Sequence, residues 1–474
     1  MSRASSIASV ESPALAPFMR PLLFGVFARA LPLTMFGPLL PGIASSLGAS
    51  LADVGWIVAT YATGSLIAQP LMGTLSDSYG RRRMFTWCMV LFVAGSCACA
   101  FATSLPLLVA GRIIQALGAG GIQPIATAII GDVLPPDRRG GALGALYGVF
   151  GIGTMAGALL GGAIVAGALA ASSHVNGALA ADLSAYPWHP VFAVNVATGI
   201  LTILLATSLP DDAIALNRAR AKSFDAIGAL LIALFAACLM FAVTGAHDRS
   251  LLGIFGAIAS MGTFVWHIRH TEAPLIDPAL FAARGPAMLY ALGVVFGIPS
   301  FSLTIYSATY FIAQFHASAA TASLALFILA VLYVAGAIAG GALINRLGTR
   351  ALLSTGVLLV AVSAGALAGF TSVAAVVAAM ALGGLGLGLA SAPPNALILR
   401  YVPANRSGAA TGVATMLGTS GSITAPVVIG AFLAFANAGG AATALRDEFA
   451  LCAALSAVCA LLAFSLPEPA VLAA

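Results

Sequence analysis

Two arginines, Arg29 and Arg112, stand inside long apolar runs of this chain, and Gln115 follows the second by three residues. A guanidinium stays charged and presents its N–H donors as a planar fork, so the chemistry it offers is capture of a carboxylate, phosphate or similar anion. Inside an apolar layer such a charge turns toward water, a partner or a ligand, although a residue near the end of a run can instead snorkel to the headgroups. Candidate companions are Tyr61, Tyr306, Tyr310, Gln314, Tyr333 and Asn395, the last beside Pro393 and Pro394. Polar aromatics and amides suit amphipathic ligands, and they also bond helix to helix. Gln69 and Gln123 share that double reading.

The acids are distributed differently. All 15 Asp and Glu fall by pattern in loops, tails or helix ends. No mid-span carboxylate is therefore expected, where a desolvated acid would ordinarily carry a coupling proton. None of the six histidines pairs with another at ligand spacing, and no nucleotide loop, zinc motif or catalytic triad is visible. Neither an enzyme, a metal site, a cofactor nor an ATP-driven pump is expected. A single lysine, Lys222, and the lack of a basic run argue against nucleic acid as a partner. The six cysteines sit in apolar runs as small core fillers, with no disulfide framework implied.

The elements that must position these groups follow from composition. Of 474 residues 61% are hydrophobic and 7% charged, against roughly 25% charged in soluble domains. A spanning helix needs about 20 apolar residues, and such segments read as 21–44, 54–75, 84–103, 106–131, 140–168, 190–209, 225–246, 250–268, 287–315, 322–345, 350–371, 373–399, 407–435 and 449–466. The expected architecture is all-α and integral to a membrane, with 14 spans. Placing the N-terminus inside puts 16 basic residues in cytoplasmic segments and two, Arg249 and Arg446, outside. That asymmetry sets the orientation, with both termini cytoplasmic. Trp56 and Trp188 then fall at outer edges and Trp87 and Trp266 at inner ones, as interfacial rings prefer.

An internal repeat divides the chain. GTLSDSYGRR from Gly73 aligns with GALINRLGTR from Gly341, 268 residues on, as expected of two bundles built from one unit. The distance exceeds six helices and leaves room for two more. The organisation expected is a tail (1–19), a six-helix bundle (20–210), a linker with two inserted helices (211–286), a second six-helix bundle (287–467) and a tail (468–474).

The segment Gly73 to Arg83, GTLSDSYGRRR, resembles the signature loop after the second helix in the major facilitator superfamily. The resemblance implies a conformational latch made by Gly73, Asp77, Gly80, Arg81, Arg82 and Arg83, closing on a helix that begins near Arg406. The stretch from Arg112 through Gln115 to Gly118 resembles the family's fourth-helix pattern, which implies that Arg112, with Gln115 and Arg29, serves binding or coupling. Gly144, Gly153, Gly157, Gly161 and Gly162 reproduce the spacing of its antiporter motif, with Ala158 where Pro is usual; they imply a rocking seam. With Phe224-Asp225-Ala226-Ile227-Gly228 opening the seventh span, the whole resembles the fourteen-helix drug:proton antiporter branch. That branch commonly carries an acid in the first helix, about where this chain has Pro32. The resemblance implies a monomer in a bacterial inner membrane that exports small amphipathic molecules against protons. Two span arginines without an acid also suit an exporter or exchanger of one anionic metabolite.

Overall fold

The computed structural model describes residues 17–467 apart from 37–38, 50, 175–176, 211–224, 245–246, 273, 316–318, 404–405, 420–424 and 426–439. The two tails, the linker residues Arg218, Arg220 and Lys222, and the second half of the expected thirteenth span lie outside the described residues, as do the side chains of Trp56 and Arg249. The described chain is helical: α1 (Met19–Met35), α2 (Leu40–Leu47), α3 (Leu51–Tyr79), α4 (Arg81–Ala100), α5 (Leu105–Val133), α6 (Pro136–Ser172), α7 (Ala178–Ala185), α8 (His189–Leu205), α9 (Ala226–Thr244) and α10 (His247–His270). Then come α11 (Arg284–Phe301), α12 (Ser307–Phe315), α13 (Ala319–Leu347), α14 (Thr349–Gly369), α15 (Val373–Ser391) and α16 (Pro393–Tyr401). The helix at 407–419 is α17, and Gly440–Phe464 is α18. Among the described residues, 10 helices are long and apolar enough to cross a membrane.

Several expected spans are interrupted for covalent reasons. A π-helical turn, Ser302–Tyr306, joins α11 to α12 just after Pro299, because proline removes a backbone donor and crowds the preceding turn. Pro393 likewise separates α15 from α16. The largest shift is in α18, which starts at Gly440 rather than 449, so Arg446, Asp447 and Glu448 lie within a helix. Glu448, expected outside the last span, lies eight residues into α18 with 0% exposure, so one carboxylate is buried inside a helix where none was expected beyond the helix ends. Trp188 also departs from expectation. It is 1% exposed and donates to Ser46 Oγ at 2.9 Å, whereas Trp87 and Trp266 are exposed as interfacial rings should be.

The repeat is visible in the helix bounds. α13, α14 and α15 begin 268 residues after α3, α4 and α5, and α3 and α13 also end in register. Gly80 and Gly348, one repeat apart, hold φ of +101° and +80°, a conformation that only glycine adopts cheaply. One set of packed helices comprises α1, α3, α4, α5, α6 and α8, and another comprises α11, α13, α14, α15 and α18. The two sets meet chiefly where α6 lies along α13. A Cβ on Gly73 would strike the Gly408 carbonyl, and a Cβ on Gly144 would lie 2.7 Å from Gly341 Cα. Backbone therefore touches backbone at two crossings near the end that carries Gly80 and Gly348, hereafter the arginine-rich end.

The inserted helices α9 and α10 pair with each other, and α9 rests on α3. Asp225 ties the pair to the chain that follows. Its carboxylate accepts from Gly228 N at 2.8 Å, Leu275 N at 2.9 Å and His267 Nε2 at 2.7 Å. Burial pushes this carboxyl up, but the two backbone donors and His267 outweigh it and hold the group below the usual carboxylate range. A lowered folded value means that the stabilisation is complete above the unfolded carboxylate pKa and is lost as pH falls through the folded value. The melting temperature of Asp225→Asn should accordingly lie below that of the native protein at neutral pH. The gap between the two should close on acidification below about pH 4, as followed by thermal unfolding in detergent; a gap that persists there would remove the carboxylate from the account.

Candidate functional site

Arg29 on α1 is 7% exposed, and its guanidinium donates through Nη1 to Gln123 Oε1 on α5. It lies 5.4 Å from the centre of the Phe150 ring on α6, and its Nε has no hydrogen-bond partner. It does not snorkel. Gln123 also faces Tyr147 on α6, whose hydroxyl accepts from Asn395 Nδ2 on α16. Tyr333 on α13 stands against Gly151 of α6 beside the same tyrosine. Arg29, Gln123, Tyr147 and Asn395 thus form a polar line from the first set of helices into the second.

Arg112 is 1% exposed on α5. Its Nη1 donates to Gln115 Oε1 at 2.7 Å and its Nε to the Ile57 carbonyl at 3.3 Å. Its guanidinium is 4.1 Å from the Tyr61 ring centre and 4.4 Å from that of Phe36. Gln115 passes the network on to Ser96 Oγ at 2.8 Å, and the Tyr61 hydroxyl donates to the Arg29 carbonyl at 3.2 Å. Tyr61 therefore couples the two arginines. Ring faces offset a desolvated cation by about 2 kcal/mol or more each, and neither arginine has a carboxylate within ion-pair distance among the described residues. The positive charge of this region is stabilised but not neutralised, which leaves it able to draw an anionic group.

The remaining expected cavity residues lie elsewhere. Tyr310 is 0% exposed in an apolar cluster, edge-on to Phe449, with its hydroxyl on the Phe370 carbonyl at 3.4 Å. Tyr306 packs on that same cluster, and Gln314 is half-buried near the end of α12. The π-helical turn rotates this stretch relative to a continuous helix, so these three side chains do not join Arg29. Tyr147 and Phe150, not anticipated from sequence, take their place. The signal for them was two aromatic residues on a helix whose glycines bring it close to its neighbours.

The residues expected to form a latch meet at the arginine-rich end. The Asp77 carboxylate accepts from Gly408 N at 3.0 Å and Ala409 N at 2.8 Å, the first turn of α17, and pairs with Arg81. A helix start supplies free N–H groups and a positive dipole end, so a carboxylate is stabilised there. Arg81 in turn donates to Asp132 Oδ2 at 2.9 Å, Ser76 Oγ at 2.7 Å and Ser407 Oγ at 2.7 Å. Ser407, at the expected helix start, joins this network, and Asp132, which sequence reading did not place in it, completes it. Removing one member of such a buried ion network costs about 3–5 kcal/mol. Arg406, expected in the latch, pairs instead with Asp277 at 3.2 Å. Arg82 and Arg83 line a separate open cavity of about 540 Å³ with Thr86 and Trp87.

The glycine seam divides in two. Gly144 faces Gly341 across the two helix sets, but Gly153, Gly157 and Gly161 face Ala30, Leu31 and Met35 of α1 within one set. Only the first can lie on a seam between bundles, and contacts of Gly162 lie outside those described. The counterpart of Gly144 is Gly341, with Gly140 beside it.

Substitution of Asp77 by Asn removes a charge from the latch but keeps its shape, so transport should fall while membrane insertion and yield stay near native. Arg112→Ala should reduce transport more than Tyr310→Phe, whose hydroxyl makes one long bond outside the polar line. Vesicle transport rates normalised to inserted protein check both, and equal rates for Asp77→Asn and native would remove the latch role.

The Major Facilitator Superfamily model matches residues 22–300 and 288–473. Multidrug resistance protein 3 of Bacillus subtilis is 28% identical over 60% of this chain, and the chain spans only about half that relative's length (55%). Multidrug resistance protein Stp of Mycobacterium tuberculosis is 26% identical over 87% of this chain and 74% of its own length. Among solved structures, the proton:xylose symporter XylE superposes with a TM-score of 0.65 at 16% identity, covering 95% of each chain, which speaks to fold alone. Helix architecture and family model agree: the chain belongs to the Major Facilitator Superfamily, whose members are multi-pass membrane transporters and not enzymes.

Proposed function

We propose that this transporter exports small amphipathic compounds by alternating access, driven by protons, and that it takes substrates bearing an anionic group in preference to cations. The carrying observation is the polar line from Arg29 to Asn395, which joins the two helix sets at a buried cation that no carboxylate neutralises among the described residues. A site that spans both bundles senses their relative rotation. Aromatic faces at Tyr61, Phe150 and Tyr333 suit the apolar body of such a substrate. In this reading the chain has 14 spans in two six-helix bundles plus the α9–α10 pair, divided as the sequence suggests. Arg29, Arg112 and Gln115 bind or couple, the network around Asp77 holds the cytoplasmic end shut, and the protein works as a monomer in a bacterial inner membrane with both termini cytoplasmic.

The relatives named for multidrug resistance support export of several compounds. The missing acid in the first helix favours a second reading, exchange of one anionic metabolite without a proton. Reconstituted liposomes under an imposed pH gradient distinguish them, comparing an anionic amphiphile with a cationic dye. Gradient-driven, Arg29-dependent movement of the anion is the expected result. Anion movement indifferent to the gradient would establish the exchanger, and dye movement that survives Arg29→Ala would overturn the anion preference.

A further inference from the structure

Glu448 lies eight residues into α18, about 12 Å along the axis from Gly440 at 1.5 Å per residue. It has 0% exposure, and Leu445 and Phe449 beside it in sequence belong to a buried apolar cluster with Val360, Ala364 and Leu367 of α14. Cys452 Sγ donates to Oε1 at 2.9 Å, but Oε2 has no hydrogen-bond partner. Ser302, the first residue of the π-helical turn, faces the carboxyl with a buried hydroxyl that is itself without a partner.

Among the described residues no cation pairs with this carboxyl. On its own helix the other titratable groups are Arg446, Asp447, Cys452 and Cys459, of which the one cation, Arg446, donates through Nε to the Ala368 carbonyl at 2.9 Å. From the π-helical turn comes Tyr306, and from α12 comes Tyr310, which is engaged with Phe370. The α11 tyrosine, Tyr290, bonds to Ala410, and the α14 arginine, Arg350, bonds to the Phe464 carbonyl at the arginine-rich end. No ion pair to Glu448 exists among the described residues. A carboxylate sealed in hydrocarbon without a cation is far costlier than the neutral acid, so in this arrangement Glu448 is a carboxylic acid whose hydroxyl hydrogen has an open acceptor position at Ser302.

We infer that Glu448 is the proton-binding site of the transport cycle, carried by the second helix set while the first holds the arginines that bind the anionic substrate. The inference rests on the proton-driven reading above. Pro299 and the π-helical turn supply a break in α11–α12 that can repack beside the carboxyl. With the arginine-rich end closed, a proton from water at the opposite end forms the O–H bond. When the helix sets rock and the turn repacks, the carboxyl meets water at the arginine-rich end and the same bond breaks to it, leaving the carboxylate to be reprotonated. One proton moves inward per cycle, and no other reactant is consumed.

The test uses full-length protein in liposomes with an anionic amphiphile, measuring both counterflow without a gradient and accumulation driven by a pH gradient. Glu448→Gln should keep counterflow and lose gradient-driven accumulation to near the level of empty vesicles. Glu448→Asp should retain accumulation with a displaced pH optimum. Accumulation unchanged in Glu448→Gln would overturn the assignment, leaving Glu448 a packed acid. Native counterflow with no response to the gradient would overturn it too, while leaving the transport reading intact. Failure of the native protein to move any anion would sink that reading instead. The carboxyl is then judged by infrared difference spectra of the purified protein across a pH titration, where a protonated-acid carbonyl band missing from Glu448→Gln is expected and its presence in both would refute the assignment.

Discussion

The close approach of backbone to backbone at two glycine crossings is the constraint on which the rest of this molecule depends. Gly73 meets Gly408 and Gly412, and Gly341 meets Gly140 and Gly144. The pairs are related by the 268-residue repeat, so one ancestral contact serves twice in exchanged roles. Any side chain at these points would hold the helix sets apart. Separation of even a side chain's width would withdraw the first turn of α17 from Asp77 and would stretch the line from Tyr147 to Asn395. The ionic network and the polar line are both consequences of that proximity.

The two crossings are equipped unequally. Asp77 and Arg81 in the first copy correspond to Asn345 and Thr349 in the second, and Asp132 corresponds to Arg400. Asn345 still donates to a carbonyl, that of Asp137 at the start of α6, whereas the Thr349 hydroxyl is buried without a partner. Geometry has been kept in both copies, and the carboxylates in one. The interior shows the same division, with Arg29 and Arg112 in the first set and the buried acid in the second.

Much of the architecture was legible because an apolar solvent imposes simple rules on length and charge. The repeat, the glycine turns and the aspartate at a helix start follow from residue types at fixed spacing. What escaped was whatever depends on which way a helix faces. The run Arg446-Asp447-Glu448 reads as a loop because three charged residues together ordinarily mark water. In the fold α18 begins two turns earlier, Arg446 turns to a carbonyl, and Glu448 is left inside. Tyr310 likewise reads as a cavity residue from its type, yet the π-helical turn aims it into a core. Gly153, Gly157 and Gly161 have the expected spacing, but periodicity cannot name the neighbouring helix, which is α1.

The burial of the network around Asp77 and Arg81 bears on how the closed end can open. Side chains about 10% exposed are little screened by dissolved ions, so changes in ionic strength leave this contact almost untouched, unlike a surface salt bridge. Opening must be driven by differential affinity, through a ligand or proton that prefers the open form by as much free energy as the contact contributes to the closed one. A contribution of about 3 kcal/mol would hold unaided opening to somewhat under one molecule in a hundred, since about 1.4 kcal/mol is a factor of ten. A contact of this kind disfavours spontaneous exposure of the interior at the arginine-rich end.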